Sequence, residues 1–225
     1  MRLNPLIDKW LCPRRPVARQ QFFTACLTLA SLLCWSAACL TKSAPRQEPR
    51  AANQERAFEP SAVTRAPLKL PLYDPKIVVK KSQRQLLLFS GGKLARTYRI
   101  GLGLSPVGDK VRAGDRRTPE GEFYIFTKNE KSAFYLSLGL SYPNTAHAER
   151  GLRDGLITRA QYEAITRALR AKKAPPQNTH LGGDIYIHGN GAQSDWTWGC
   201  VALENEDIRE LFNAVSVATP VIIEP

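Results

Sequence analysis

Residues 185–203 read IYIHGNGAQSDWTWGCVAL, and the fold and function of the chain are inferred outward from them. Apolar and polar residues alternate up to His188, which predicts a strand that ends at the histidine. A glycine-rich loop follows and is able to fold back, bringing Cys200 beside the strand end. Two interpretations fit this spacing equally well: a catalytic Cys–His pair, or a packed histidine next to a small buried thiol.

The first interpretation predicts acyl transfer through a thioester. A free thiol with a pKa of about 8.5 is only a few per cent ionised at neutral pH, and a histidine within reach can accept its proton to give a thiolate–imidazolium pair. Gly199 lets the backbone approach closely, and the amides from Trp198 to Cys200 are candidate donors to an oxyanion.

A zinc site is a weaker alternative that uses some of the same side chains. None of its candidate ligands shows tight spacing such as HxH or CxxC. These candidates are His147, His180, Asp184, His188 and Cys200.

The surrounding sequence predicts a mostly β (α+β) domain over residues 73–225. Strand-like runs cover residues 77–81, 85–89, 94–100, 123–127, 134–140, 185–188 and 219–223. Thr158 and Gln161 fit a capping box that starts a helix, which ends before Pro175. A second amphipathic helix is predicted from Ile208, Leu211, Phe212 and Val215.

The N-terminal part predicts export. Residues 22–40 carry no charge and follow a basic segment, residues 1–21. As a helix they would span about 28 Å, the thickness of a bilayer core. We therefore predict a cytoplasmic basic segment, then a signal anchor or cleaved signal peptide that contacts the inner membrane if uncleaved. Residues 41–72, rich in Ala, Pro, Arg and Gln, predict a disordered linker.

Cysteine usage supports a functional thiol. The chain has five cysteines. Four of them, Cys12, Cys26, Cys34 and Cys39, lie before the predicted linker. Cys200 therefore has no disulfide partner inside the predicted domain, and a lone thiol in an oxidising compartment is a liability unless it is buried or used.

The net charge of the chain indicates which kinds of binding partner suit it. The chain carries 32 Lys and Arg against 20 Asp and Glu, a net charge of +12. Such an excess suits an anionic wall polymer or a membrane surface. The sequence has no zinc-finger spacing, RNP-like motif or dense basic stripe, so no nucleic-acid partner is predicted.

Several motifs, in order along residues 74–225, resemble those of YkuD-type L,D-transpeptidases. His188-Gly189 followed by WGCVAL resembles the family's histidine and S/T-x-G-C signature. GDRRTPEG at residues 114–121 is similar to its G-D-x-x-T-P-x-G segment, and SYPN at residues 141–144 is similar to an element of one branch.

The resemblance implies a β-sandwich catalytic domain that acts on peptidoglycan stem peptides in the bacterial periplasm or cell envelope, without a metal or organic cofactor. Cys200 would attack the carbonyl of the L,D bond and expel D-alanine. His188 would serve as base and then acid, with Gly189 orienting it. An amine acceptor would give a cross-link, whereas water would give carboxypeptidase or amidase action. A non-catalytic wall-binding module and a metal-dependent peptidase are more distant alternatives.

The sequence also departs from the family pattern. Trp198 stands where relatives usually carry a second histidine, and the helical insertion at residues 145–179 is expected to act as a lid that selects the acceptor. Candidate contacts to substrate carboxylates are Arg116, Arg117 and Tyr142. No oligomeric state is predicted.

Overall fold

The computed structural model describes residues 66–225, and eight strands and three helices lie within that range. The strands are β1 (Pro75–Lys80), β2 (Gln85–Ser90), β3 (Lys93–Arg99), β4 (Gly121–Ser132), β5 (Tyr135–Leu140), β6 (Tyr186–His188), β7 (Val201–Ala202) and β8 (Pro220–Glu224). The helices are α1 (Thr145–Arg153), α2 (Arg159–Arg170) and α3 (Asn205–Ala214).

All eight strands belong to one sheet, in the order β3-β2-β1-β8-β4-β5-β6-β7. β1, β2 and β3 form an antiparallel meander, and β8 inserts between β1, to which it is parallel, and β4, to which it is antiparallel. β5 pairs antiparallel with both β4 and β6, and β7 lies parallel to β6 at the edge of the sheet. Cys200 immediately precedes this edge strand.

The sheet curls until its two edges meet. Directly after β3, the backbone of Gly101 exchanges two hydrogen bonds with Ala202 of β7, with N···O distances of 2.9 and 2.8 Å. Because β3 and β7 are the two edge strands, these bonds bring the opposite ends of the sheet together. The prediction of a mostly β fold is confirmed, with one curled sheet providing its layers.

The main core follows the predicted alternation of apolar residues. Ile77 and Val79 of β1 and Leu86 and Leu88 of β2 alternate along their strands and are fully buried. Helix α3 covers this core with Ile208, Leu211 and Phe212, as its apolar spacing predicts. The ammonium group of Lys128 donates to the carbonyl oxygen of Val215, 2.8 Å away, at the end of the helix where cations are favoured.

The insertion forms a small core of its own. Thr158 and Gln161 make both bonds of the predicted capping box at the start of α2. The buried apolar residues of this second core are Ala148, Ile157, Ile165 and Leu181. Helix α1 was not predicted individually: its sequence TAHAERGLR is polar, and it begins because the Asn144 side chain accepts a hydrogen bond from the backbone amide of His147.

The predicted basic segment, the uncharged segment and most of the linker lie outside the described residues. Within residues 66–225, none of the helices is long and apolar enough to cross a membrane. Residues 66–72, the described end of the predicted linker, form no helix or strand. Leu68 and Leu72 nevertheless pack against the main core.

The side chain of Asp109, in the connection between β3 and β4, forms hydrogen bonds to helix α1 of the insertion. Its carboxylate oxygens lie 3.0 Å from Nε2 of His147 and 2.8 Å from a guanidinium nitrogen of Arg150, both on α1. It also accepts a hydrogen bond from the amide of Glu120, at 2.8 Å. Burial by itself raises the pKa of Asp109, but these donors outweigh it and hold the pKa well below its usual range.

Replacing Asp109 with Asn is expected to lower the free energy of unfolding by about 1.5–3 kcal/mol at pH 7, since hydrogen bonds to a charged acceptor are lost. A carboxyl whose folded pKa is depressed stabilises the fold above its unfolded pKa of about 4 and loses that contribution as the pH falls further. The deficit of Asp109→Asn should therefore be smaller at pH 3. Urea unfolding of the wild-type protein and the variant at pH 7 and pH 3 measures this difference in the free energy of unfolding.

A matched control is Asp154→Asn, which removes a surface ion pair with Arg153, a side chain that is 71% exposed. Exposed pairs contribute between 0 and about 1 kcal/mol, so this change should be small at both pH values. Equal deficits for the two variants at pH 7 would contradict the role given to Asp109.

Candidate active site

Cys200 is half-buried at the start of β7. The parallel register pairs Ile187 with Val201 and His188 with Ala202, which places Cys200 beside Tyr186. The Tyr186 amide donates to the sulfur atom, and the thiol donates to the carbonyl oxygen of Asp184, each at 3.4 Å. The thiol is thus held between the segment leading into β6 and the edge strand.

The surroundings of Cys200 keep its thiol protonated. Burial raises the pKa of Cys200 to about 11, and the carboxylate of Asp184 adds to this. The amide of Tyr186 and the ammonium group of Lys110 act in the opposite direction but do not offset the burial. At neutral pH the resting side chain is therefore a thiol, and the thiolate–imidazolium pair expected from the sequence is not its resting form.

His188 is 3% exposed, and its ring is held by three neighbours. Its Nδ1 lies 2.7 Å from the carbonyl oxygen of Gly189. The ring centroids of Phe134 and Trp196 lie 4.7 and 5.5 Å from that of the imidazole. A carbonyl oxygen only accepts hydrogen bonds, so Nδ1 carries the proton and Nε2 is the basic nitrogen. Burial lowers the pKa of His188, and the Gly189 carbonyl partly opposes this.

His188 and Cys200 lie on neighbouring parallel strands, two positions apart along them. With strands about 4.8 Å apart and two residues spanning about 6.6 Å, the Cα atoms of such a pair are about 8 Å apart. No hydrogen bond between the two side chains is present among the described residues; the thiol donates to Asp184 instead.

Thr197, which the motif analysis did not single out, shapes the turn before Cys200. Its hydroxyl donates to the carbonyl oxygen of Cys200 at 2.8 Å and accepts from the amide of Gly199 at 3.1 Å. It occupies the S/T position of the S/T-x-G-C signature. The Gly199 amide is therefore already used, which leaves the amides of Trp198 and Cys200 as the candidate oxyanion donors.

Gly199 is required in this turn for two reasons. Its φ angle is +126°, a conformation that residues with a Cβ rarely adopt. A Cβ at this position would also lie only 2.7 Å from the carbonyl oxygen of Arg117. The turn that carries the thiol is thereby packed directly against the connection between β3 and β4.

The side chain of Trp198 is 63% exposed at the mouth of the site, so only its backbone is placed to take the predicted oxyanion role. The guanidinium carbon of Arg116 lies 4.8 Å from the centroid of the indole ring. Arg116 is itself exposed and has a φ angle of +59°. The two side chains form an exposed stack two residues before Cys200, which we call the Arg116–Trp198 stack.

The other two predicted substrate contacts have structural roles here. Tyr142 is completely buried, and its hydroxyl donates to the carbonyl oxygen of Leu181 at 2.8 Å. Arg117 donates to the carbonyl oxygen of Asp109 at 3.3 Å, inside the connection between β3 and β4. Tyr142 cannot reach a substrate because it lies in the core, and Arg117 is turned into its own loop. Of the three, only Arg116 is exposed, and its guanidinium stacks on Trp198.

Lys110 is a second residue that sequence reasoning missed. It is 2% exposed, and its ammonium group lies 2.7 Å from a carboxylate oxygen of Asp115 and 3.1 Å from the carbonyl oxygen of Arg112. A lysine in a polar loop gives no sequence signal of burial, because its ion-pair partner is what makes burial tolerable.

The candidate zinc ligands are not brought together. His147 bonds to Asn144 and Asp109, His180 is exposed, and His188 bonds to Gly189. Within residues 66–225, no group of three or more His, Cys, Asp or Glu side chains is placed to hold a metal ion.

One cavity lies between the insertion and the sheet, and Cys200 is not among its lining residues. It has a volume of about 760 Å³ and separates the insertion from β4 and β8. Its lining mixes polar residues, such as Glu149 and Glu122, with apolar ones, such as Leu169 and Val221. The helices of the insertion line this cavity, and the action of the insertion as a lid stays a prediction.

Comparison with known proteins identifies the family of this domain. Residues 74–223 match the sequence model of YkuD, the L,D-transpeptidase catalytic domain. No curated protein sequence matches the chain significantly.

Solved structures of similar fold include three bacterial proteins. The helical cell shape determining protein Pgp2 of Campylobacter jejuni is 23% identical, with a TM-score of 0.46 over 70% of this chain and 50% of that one. Bd1075 of Bdellovibrio bacteriovorus is 22% identical, with a TM-score of 0.42 over 70% and 51%. An L,D-transpeptidase from Mycobacterium smegmatis is 12% identical, with a TM-score of 0.41 over 68% and 59%. The chain thus spans about half to three fifths of the length of these proteins.

Proposed function

Because the chain belongs to the YkuD family of L,D-transpeptidase catalytic domains, we propose that it is a cysteine-dependent L,D-transpeptidase acting on peptidoglycan stem peptides. The observation that carries this proposal is the arrangement at the sheet edge. Cys200 directly precedes β7, His188 lies two positions further along the neighbouring strand β6, and the Gly189 carbonyl at Nδ1 leaves Nε2 as the basic nitrogen of the ring.

The first half of the reaction forms a thioester. The thiol rotates from the Asp184 carbonyl toward His188, and Nε2 accepts its proton as the sulfur attacks the carbonyl carbon of the L,D bond. The amides of Trp198 and Cys200 donate to the oxyanion that develops. The imidazolium then returns the proton to the leaving nitrogen, the C–N bond breaks, and a terminal D-amino acid such as D-alanine departs.

The second half resolves the thioester. An amine of another stem attacks the thioester carbonyl, His188 accepts the proton of the attacking amine, and the sulfur leaves as a thiol after receiving that proton. The product is an amide cross-link. Water in place of the amine gives L,D-carboxypeptidase action, and a wall-linked protein as leaving group gives amidase action.

In the proposed mechanism, Cys200 and His188 are both uncharged before the substrate binds. Burial raises the pKa of the Cys200 thiol to about 11 and lowers that of His188, so at pH 7 both are uncharged. Proton transfer therefore accompanies sulfur attack instead of preceding it. An uncharged resting thiol is also less prone to oxidation, which suits an oxidising compartment.

Export to the periplasm or cell envelope is part of the proposal. The uncharged residues 22–40, behind the basic residues 1–21, supply the expected signal, and the net charge of +12 suits an anionic wall. Residues 1–72 fused to a reporter enzyme that is active only after export should give an active reporter. A fusion lacking residues 22–40 is the control, and equal activity of the two fusions would contradict export by this segment.

The reaction is tested by incubating the protein with purified disaccharide-tetrapeptides and identifying the products by mass. A cross-linked dimer that is absent with Cys200→Ala supports transpeptidation. Loss of D-alanine without a dimer assigns the hydrolytic use of the same site. Full activity of Cys200→Ala, or activity abolished by a chelator, would rule the proposed mechanism out.

A further inference from the structure

A buried ion pair holds the loop that runs from Lys110 to Arg117, within the connection between β3 and β4. The ammonium group of Lys110 lies 2.7 Å from a carboxylate oxygen of Asp115, and the two side chains are only 3% and 11% exposed. The same carboxylate accepts hydrogen bonds from the backbone amides of Val111, Arg112 and Arg117, at 2.7, 3.0 and 3.1 Å. Although burial alone would raise the pKa of Asp115, these four donors lower it on balance, so the group is a carboxylate that fixes the path of the loop.

This loop contacts the chain on both sides of the thiol. On one side, a Cβ on Gly199 would lie 2.7 Å from the carbonyl oxygen of Arg117, so the turn before Cys200 packs directly on the loop. On the other side, the amide of Ala113 donates to the carbonyl oxygen of His180 at 2.9 Å. The segment that follows His180 leads into β6, and a carbonyl oxygen within it accepts the thiol hydrogen. The loop therefore supports both of the segments that hold Cys200.

Lys110 differs from Lys81, a lysine that is equally buried and contacts the same connection. Each residue is 2% exposed, and each ammonium group lies 2.7 Å from a carboxylate oxygen. Lys81 uses all three of its N–H donors, on one carboxylate and two carbonyl oxygens. Lys110 donates to one carboxylate and one carbonyl oxygen, so its third donor has no acceptor among residues 66–225. Lys110 thus retains a donor for negative charge that is absent from the resting protein.

The charged and titratable groups around Cys200 belong to three segments. Burial raises the pKa of the thiol to about 11, and the carboxylate of Asp184, in the segment before β6, adds to this. Burial also raises the pKa of Tyr186 and lowers that of His188, so these two groups of β6 are uncharged at neutral pH. The ammonium group of Lys110, in the connection between β3 and β4, acts in the opposite direction to Asp184 and favours the thiolate.

We propose that the buried Lys110–Asp115 pair positions and activates the nucleophile: Asp115 holds the loop on which the turn before Cys200 packs, and Lys110 stabilises the negative charge that forms on the sulfur atom. As the S–H bond breaks, the sulfur keeps the electron pair and the proton passes to Nε2 of His188. Lys110 and Asp115 act through the loop and through their charge, so they are positioning residues. The inference deepens the proposed function and rests on it for the base, whereas the effect of Lys110 on the thiol is measurable without a substrate.

The test is the rate at which iodoacetamide alkylates Cys200, followed by peptide mass mapping as a function of pH, because only the thiolate reacts. Lys110→Met removes the ammonium group and keeps the length of the side chain. Since that charge favours the thiolate, its loss should raise the pKa of Cys200 and slow alkylation at pH 8 about 3–10-fold, the effect of one partly screened charge. Lys110→Gln, which keeps N–H donors for Asp115 without the charge, should give the same slowing.

Lys81→Met is the matched control, because it removes an equally buried lysine and leaves three acceptors unpaired. It should lower the melting temperature at least as much as Lys110→Met and keep the wild-type alkylation profile. Asp115→Asn tests the other partner, since it keeps the ammonium group and weakens the bonds that hold the loop. Its alkylation at pH 8 should be no slower than that of the wild-type protein. Its kcat for stem peptides should fall about tenfold with KM little changed, at a temperature where the variant is folded.

Equal slowing of alkylation by Lys110→Met and Lys81→Met would overturn the inference, because general destabilisation would then explain both. It is also overturned if neither Lys110 variant alters the alkylation profile, even in a protein whose turnover depends on Cys200; the proposed function would then stand alone. The expected slowing in a protein that turns over no stem peptide leaves the role of Lys110 standing and refutes the proposed function instead.

Discussion

Cys200→Ala is expected to reduce acyl transfer by at least 10³-fold, because the sulfur is the atom that forms the covalent intermediate and no neighbouring group can replace it. The only described hydrogen bonds of the thiol are two long ones, at 3.4 Å, to the backbone of Tyr186 and Asp184. Their loss should change the melting temperature by only a few degrees, since contacts of this kind contribute little.

The experiment measures turnover and also detects the acyl-enzyme intermediate by mass. Wild-type protein mixed with the tetrapeptide stem should gain the mass of the acyl group without its terminal D-amino acid, and hydroxylamine should remove that mass, as it cleaves thioesters. Cys200→Ala should gain no mass. Cys200→Ser is the matched control for size: it keeps a hydroxyl, but its higher pKa should leave it nearly as inactive. An acyl adduct on another residue would remove Cys200 from the nucleophile role.

The regular elements were the part of the fold that local pattern could predict. β1 and β2 follow from alternation, and α2 follows from the capping box at Thr158, because these signals arise within a few consecutive residues. β7 was not predicted, because a strand of two residues is too short to show an alternation of apolar and polar residues. It is defined by its pairing with Gly101 and with β6. The curl of the sheet is likewise a long-range property.

Some features of the candidate site could likewise be predicted from local sequence, and others depend on long-range packing. His188, Gly189 and Cys200 could be found from residue type and motif spacing. The burial that raises the pKa of Cys200 to about 11 could not, because it depends on which distant segments pack around the thiol. Tyr142 illustrates the converse: its motif suggested a substrate contact, whereas its hydroxyl is satisfied by Leu181 inside the core.

His188→Asn is expected to reduce kcat/KM by about 10²–10⁴-fold, the usual contribution of a general base, and to change the shape of its pH dependence. In the wild-type protein, burial puts the pKa of His188 below its usual value and raises that of the thiol to about 11. The neutral pair is therefore present over a wide range, and kcat/KM should be nearly flat from pH 7 to 10, falling only when His188 is protonated in acid.

Without the imidazole, only thiol that ionises spontaneously can attack. The residual kcat/KM of His188→Asn should then rise about tenfold per pH unit up to the thiol pKa near 11, in contrast to the flat wild-type profile. His147→Asn, which alters a buried histidine bonded to Asp109 rather than one beside the thiol, should keep the flat profile.

Alkylation of Cys200 by iodoacetamide, followed by peptide mass mapping, gives an independent check on the same pKa. The rate should keep rising past pH 10, whereas in the urea-unfolded protein it should level off near the ordinary thiol pKa of about 8.5. A wild-type midpoint near 8.5 would mean that the folded site does not hold the thiol neutral. A flat kcat/KM profile in His188→Asn would show that another group removes the proton, because an unassisted thiol cannot react at a constant rate below its own pKa.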